Sequence, residues 1–371
     1  MVDVRPMTDE LFYTIAFSFL PGLQQRNRKI LLEAYGSATS IYEERKKGAD
    51  AFPLLDAFHK QLLMSPWPLS EADAEIKFMQ QHGILGLSVL NKHYPDRLVH
   101  CDDAPTVLYV KGESNFNLPQ LISIVGSRQH TIQVNKVIQE LLAGLAHLKI
   151  GVISGLALGV DGIAHQNALA QNMPTWGVLA HGLNQIYPTQ HRKLAVSMLD
   201  KGGLITEYNK DINPLPFCFP TRNRIVAGMS DATIVVETDL KGGSMITANL
   251  AAGYQRDVFA IPGKIHDAKS EGCLFLIKNQ KATMYYDPID LLEKMNWPEK
   301  QASPTQVNQS ALVLDSIPQA ILMFIEQNGP IHRDAISTAL NMPHAVLAGH
   351  LLTLELDGYI HLQAGNCYTR L

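Results

Sequence analysis

The apolar positions of the chain change period twice. Over residues 1–90 they recur at helical spacing. Thr8 caps a helix through Leu11, Phe12, Ile15, Ala16 and Phe19, with Asp9 and Glu10 in its first turn. Pro21-Gly22 ends it, and a second helix carries Ile30, Leu31, Leu32 and Ala34 to a stop at Gly36. Helix, tight LPGL turn and helix form a helix-hairpin-helix-like outline. Such hairpins hold DNA phosphates through backbone amides, and a small helical interaction domain has the same outline.

Over residues 91–297 short β-rich runs alternate with amphipathic stretches. The runs are Val107–Val110, Ile122–Val125, Gly151–Ile153, Trp176–Ala180, Leu204–Thr206, Thr233–Val236 and Val258–Ile261. Helical patterns at Gln133–Ala146, Gly162–Ala170, Arg192–Asp200 and Met245–Tyr254 separate several of them. This alternation predicts βαβ units around a buried, mostly parallel sheet, a Rossmann-like doubly wound α/β domain. Residues 298–310 are polar, contain Pro298 and Pro304, and read as a linker. Residues 311–371 give helices at 311–327, 333–340 and from Pro343 to about 356. A hairpin around Ala364-Gly365-Asn366 follows, completing a winged-helix outline.

Length and composition narrow this little. The 371 residues suit two or three domains, and 46% hydrophobic with 18% charged residues suits a packed core. A net charge of −4 excludes a wholly basic surface, so a nucleic-acid site has to be a local patch. Cys101, Cys218, Cys273 and Cys367 are scattered without a CxxC pair, which fits a reducing cytoplasmic setting and no zinc site. The opening MVDVRPMTDELFY is too polar for a signal peptide, and no apolar run reaches the ~20 residues of a membrane span. The expectation is a cytoplasmic protein without membrane insertion.

Ligands of doubly wound folds sit at the carboxyl ends of the strands, so the loops there carry the candidate chemistry. The first holds Gly126, Ser127 and Arg128: a sharp turn, a hydroxyl and a planar cationic fork at a helix start. The second holds Ser154 and Gly155, followed by Asp161 and His165 one helical turn apart. A Ser154/His165/Asp161 triad lacks GxSxG support, and His165 reads better as a structural partner. The third is FPTRNR, with Arg222, Asn223 and Arg224 opening a helix, where cations need an anion or an acidic partner. The fourth holds Lys241, Gly242, Gly243 and Ser244 before another helix, a phosphate-cradle layout without a Walker A motif. Four strand ends rich in amides, hydroxyls and cations, with no metal or acid–base set beside them, point to a binding groove for a polyanion. Phe217, Phe219 and Tyr187 are candidate stacking rings. No cofactor is expected.

Blocks at and around these loops resemble the DNA-processing protein A (DprA/Smf) family: IVGSR (124–128), SGLALGVDGIAH (154–165), VLAHGLNQIYP (178–188), FPTRNRIVAGMSD (219–231), GGSMITANLA (242–251) and FAIPGKI (259–265). The resemblance covers about 94–280. It implies a non-enzymatic homodimer that binds incoming single-stranded DNA, protects it and helps load the RecA recombinase in natural transformation. It also implies an N-terminal module, sterile-alpha-motif-like or helix-hairpin-helix-like, and a C-terminal winged helix. The phosphate ligands it implies are Gly126, Ser127, Arg128, Ser154, Gly155, Arg222, Asn223, Arg224, Lys241, Gly242, Gly243 and Ser244. Three positions depart from the family pattern. Leu158 stands where a basic residue is usual, Ala180-His181 replace smaller groups, and Leu274 replaces Asn. The last winged-helix segment, PHAVLAGHLLTLELDG, carries His344, His350, Glu355 and Asp357 but no Lys or Arg, which predicts a protein-binding role over duplex reading. The alternatives are a nucleoside-monophosphate phosphoribohydrolase-like enzyme using Glu237, and an assembly scaffold that binds no DNA.

Overall fold

A computed structural model describes residues 9–297, 316–357, 359–363 and 367–370. The Thr8 cap, the linker expected at 298–310 and the turn at 364–366 lie outside them. The described residues fall into two compact units, on either side of the gap between 297 and 316.

The first unit is built on nine strands: β1 Leu85–Ser88, β2 Val107–Gly112, β3 Gln120–Val125, β4 Ile150–Ser154, β5 Thr175–Val178, β6 Gly203–Thr206, β7 Ala232–Val235, β8 Asp257–Ala260 and β9 Thr283–Met284. They lie in the order β1-β2-β6-β5-β4-β3-β7-β8-β9. Every pair from β6 across to β9 is parallel, and β1 and β2 extend the β6 edge antiparallel. The chain winds outward from β3 to β6, then returns to β7 on the other side of β3. The strand order therefore reverses between β3 and β7, which is where doubly wound sheets leave a crevice.

Helices on both faces explain why these strands read as unbroken apolar runs; β4 and β5 are buried throughout. The Gln133–Leu145 helix shows the complementary pattern. Its Val134, Ile138, Leu141, Leu142 and Leu145 form one stripe packed against Ile124 and Val152 of the sheet. Each such side chain contributes about 1.5–3 kcal/mol by leaving water.

Residues 9–82 form five α-helices, Asp9–Ser18, Gln25–Tyr35, Ala38–Glu44, Ala57–Met64 and Trp67–His82. Gly36 closes the second at φ +80°, a conformation that favours glycine. Buried Arg28 donates to the carbonyls of Ser18 (2.6 Å), Leu20 (2.5 Å) and Leu23 (2.9 Å), fastening the LPGL turn from inside. The boundary expected near residue 90 does not divide the structure. Ile15, Phe17, Leu31 and Met79 share one core with Leu87, Leu108 and Val110, and β1, unforeseen in a helical segment, pairs with β2.

The second unit has helices Ser316–Asn328, Arg333–Ala339 and His344–Leu356 and three strands, β10 Ile331–His332, β11 Ile360–Gln363 and β12 Cys367–Arg370, in the order β10-β12-β11. Ile321, Ile325, Ile336, Leu347, Leu351 and Ile360 form its core. This is the winged-helix arrangement the pattern predicts. No helix among the described residues is long and apolar enough to cross a membrane.

Candidate functional site

The crevice between β3 and β7 holds a cleft of about 720 Å³. It is walled by the loops after β3, β4 and β7, by the Cys218–Gly228 helix and by the start of the Gly243–Gly253 helix. Gly126, Ser127, Arg128, Gly155, Arg222, Asn223, Gly242, Gly243 and Ser244 all line it. Most of the twelve expected ligands thus converge on one hollow.

Their roles differ. A Cβ on Gly126 would stand 2.6 Å from Val160 Cγ2, so this glycine lets a helix start close to the strand end. The Ser127 hydroxyl is engaged in its own turn, accepting from the Gln129 amide (3.1 Å) and donating to the Gln129 carbonyl (2.9 Å). Arg128 is exposed and its guanidinium carbon lies 5.4 Å over the ring of Phe219, a cation–π placement on the cleft wall. Tyr187, 45% exposed, meets Phe219 edge-on at 5.8 Å. Two of the three candidate rings therefore sit with Arg128, while Phe217 is exposed outside the cleft lining.

Arg222 forms the floor. It lies so close over Gly155 that no side chain fits there, and its Nη1 donates to the carbonyls of Gly155 and Val178. Its Nε is buried and unpartnered. Burial lowers its proton affinity; the Asp161 charge works against that and Arg128 adds to it. At the opposite wall the Gly243–Gly253 helix starts without a side-chain cap. Ser244 Oγ, buried at this start and lining the cleft, has no hydrogen-bond partner among the described residues. An uncapped helix start with an idle hydroxyl is a ready anion cradle.

Three expected ligands fall elsewhere. Arg224 is a correction: it pairs with buried Glu207 and donates to the Asp103 carbonyl, 8% and 5% of the two side chains of the ion pair remaining exposed. Residues two apart on a helix point about 200° away from each other, so Arg222 and Arg224 cannot enter one cleft. Ser154 is a second correction, fully buried and donating to the Ile124 carbonyl at 2.6 Å. Lys241 is exposed but outside the cleft lining.

Catalytic readings find no geometry. His165 is fully buried, its Nδ1 2.7 Å from Thr175 Oγ1, and burial lowers its pKa to about 3. Glu237 is not part of the cleft lining, and its carboxylate accepts from Thr131 N (2.9 Å) and Oγ1 (2.5 Å). Among the described residues no group of His, Cys, Asp and Glu is placed to hold a metal. His181 is outside the lining of the large cleft and borders the smaller hollow next to it. It is buried, contacts the Gly182 carbonyl through Nδ1 (2.8 Å) and accepts the Tyr187 amide at Nε2 (3.3 Å), fixing the loop that presents Tyr187. Leu158, 41% exposed, lines a smaller hollow beside Arg128, Tyr187 and Phe219.

Two carboxylates also line the cleft, Asp239 and Asp161, and neither is among the expected ligands. Asp239 accepts the Lys241 amide at 2.8 Å, holding its loop. Asp161 stands in the first turn of a helix that begins at Val160, and it also lines the cleft. Nothing in the sequence separates those two placements, because both follow from the same turn of helix.

The comparisons with known proteins agree with this architecture. Residues 87–296 match the family described as DNA recombination-mediator protein A, and residues 302–366 match the DprA winged helix domain. Protein Smf of Escherichia coli is 33% identical over 82% of this chain and 82% of its own length. DNA processing protein DprA of Streptococcus pneumoniae is 38% identical over 52% of this chain and 67% of its own. The X-ray structure of DprA from Streptococcus pneumoniae superposes with a TM-score of 0.65 at 31% identity, covering 78% of this chain and 98% of that one. DNA processing protein A from Helicobacter pylori, solved for its single-stranded DNA binding mode, superposes at 0.52 and 31% identity, covering 57% of this chain and 95% of that one. The chain therefore belongs to the DNA-processing protein A (DprA/Smf) family.

Proposed function

We propose that this protein binds single-stranded DNA in the β3/β7 cleft, without catalysing a reaction on it. The observation that carries the reading is the joining of Arg128, Phe219 and Tyr187 to an uncapped helix start within one hollow. A phosphodiester needs the fork and the amides, and an unpaired base needs the ring. Stacking on a ring is worth about 1–3 kcal/mol per base and tolerates any sequence. Duplex DNA keeps its base faces covered, so the cleft should distinguish the two. The relatives' names and the Helicobacter pylori structure support the same reading.

Protection of incoming strands, loading of the RecA recombinase in natural transformation, homodimer formation and a cytoplasmic location complete the proposal. They rest on family membership. The test is fluorescence anisotropy with labelled oligo-dT and the matching duplex. Preferential single-strand binding is expected, and equal or stronger duplex binding would refute the reading. Incubation with AMP separates the rival enzyme: release of adenine would establish it.

A further inference from the structure

A cleft furnished for anions contains two carboxylates. Asp239 is accounted for by its loop. Asp161 is 8% exposed and lines the cleft; it accepts the Ala157 amide at a long 3.3 Å, and the Ser154 hydroxyl and the Gly155 amide also act on its carboxylate. Arg222, also lining the cleft, forms no ion pair among the described residues; its contacts are two carbonyls, and its Nε is idle. A buried guanidinium without a contacting carboxylate needs a charge nearby, and Asp161 supplies the leading one.

We propose that Asp161 is a proton-linked counter-charge of the cleft: it balances Arg222 while the cleft is empty and takes a proton from solvent when a phosphodiester arrives beside Arg222. The proposal rests on the single-strand reading above. A phosphate entering the cleft meets a carboxylate of its own sign. At a separation of ~6 Å that repulsion weakens binding by roughly threefold in water-like surroundings and by about a hundredfold at an effective dielectric of ~20. Protonating Asp161 removes it. Burial already pushes the Asp161 carboxyl above the usual range, with Arg222 and the loop amides holding it back. An incoming anion cancels the Arg222 contribution and so favours the neutral acid further.

The other groups around Asp161 are few. His165 follows on its own helix and is kept neutral by burial. Arg222 comes from the Cys218–Gly228 helix, Arg128 and the exposed His130 from the loop after β3, and Asp239 from the loop after β7. His191 packs beside Gly162 and contacts the Leu156 carbonyl at 2.9 Å, and Tyr187 borders the cleft. Of these, His130 is an exposed imidazole, with its Nδ1 2.9 Å from the Thr131 carbonyl.

The test compares the full-length chain with D161N, whose amide oxygen still accepts from Ala157. Oligo-dT affinity is measured at pH 8.0 and pH 5.5 at constant ionic strength. D161N should bind at least threefold tighter than the wild type at pH 8.0, and the gap should close at pH 5.5. Equal or weaker binding by a folded D161N at pH 8.0 would overturn the proposal. Calorimetry of the wild type at pH 6 in two buffers of different ionisation enthalpy should show proton uptake on binding; no uptake overturns it as well. If D161N does not fold, H130Q decides the matter. Uptake retained in H130Q supports Asp161, and uptake lost assigns the proton to His130. Failure of the wild type to bind oligo-dT at either pH would instead remove the single-strand reading.

Discussion

At the scale of single residues, the RNR motif shows what a sequence reading holds and what it loses. The sequence reading puts the two arginines at a helix start, but the helix begins at Cys218 and carries them past its first turn. The need for an anion or an acidic partner comes from their burial, and the structure contains both answers: Arg222 in the cleft and Arg224 on Glu207. The 200° between them was legible from helix geometry alone. Which of the two faced the cleft was not, because that depends on where Glu207, far off in sequence, comes to rest. Ser154 was misassigned for a similar reason: the last residue of a buried parallel strand turns its hydroxyl to a neighbouring strand's carbonyl. His165 was legible as structural, and it makes a prediction. Its pKa falls to about 3 in the fold against about 6.5 unfolded, so between those values only the unfolded chain carries the extra proton. Stability is therefore complete above about pH 6.5 and falls as pH falls, by about 2 kcal/mol at pH 5.0 from this group alone. Urea unfolding at pH 7.5 and 5.0 should show the loss in the wild type, and H165N should show a shallower one; equal pH dependence in both would assign the loss elsewhere.

At the scale of elements, β3 to β8 were legible because buried parallel strands are short unbroken apolar runs, and the antiparallel β2 was legible because it too is buried along Val107–Val110. β1 was not. Leu85–Ser88 is a strand only because Leu85 faces Val110 across an antiparallel pair, a contact that four residues cannot announce. Leu179 and Ala180 extended one run past its strand because both are buried for another reason, Leu179 in a small core with Leu156, Ala195 and Met198. The winged helix kept its expected outline and its unusual charge. Its described residues carry Arg333 and Arg370 against Glu326, Asp334, Glu355 and Asp357, and Arg370 is paired with Glu326. The His344–Leu356 helix presents Val346 and Leu352 to solvent where a duplex reader would present cations. The 311–371 fragment should therefore give no duplex shift at moderate salt; a strong shift would contradict this assignment.

At the scale of the whole molecule, a net charge of −4 conceals an uneven distribution. Residues 162–199 hold no Asp or Glu, and that stretch includes Tyr187 and the exposed Arg192 and Lys193, on the β5 side of the cleft. A strand leaving the cleft on that side meets less repulsion than elsewhere on an acidic body. The opposite edge of the sheet ends in β9, where Met284 and Tyr286 are 46% and 76% exposed. A short bare edge with large apolar side chains suits a second copy of the chain. Sedimentation should give a dimer, and Met284→Asp with Tyr286→Asp should give a monomer that keeps its affinity for short oligo-dT but loses it for long strands. An unchanged dimer would place the interface elsewhere.

If single-stranded DNA lies in the cleft, Arg128 contacts its phosphates. Log affinity for oligo-dT against log salt concentration tests it most directly in the wild type and in Arg128→Ala, since each single-strand phosphate contact adds a slope of about −0.7. The account predicts weaker binding by Arg128→Ala and a slope shallower by about 0.7. The same affinity and slope in both chains would contradict it.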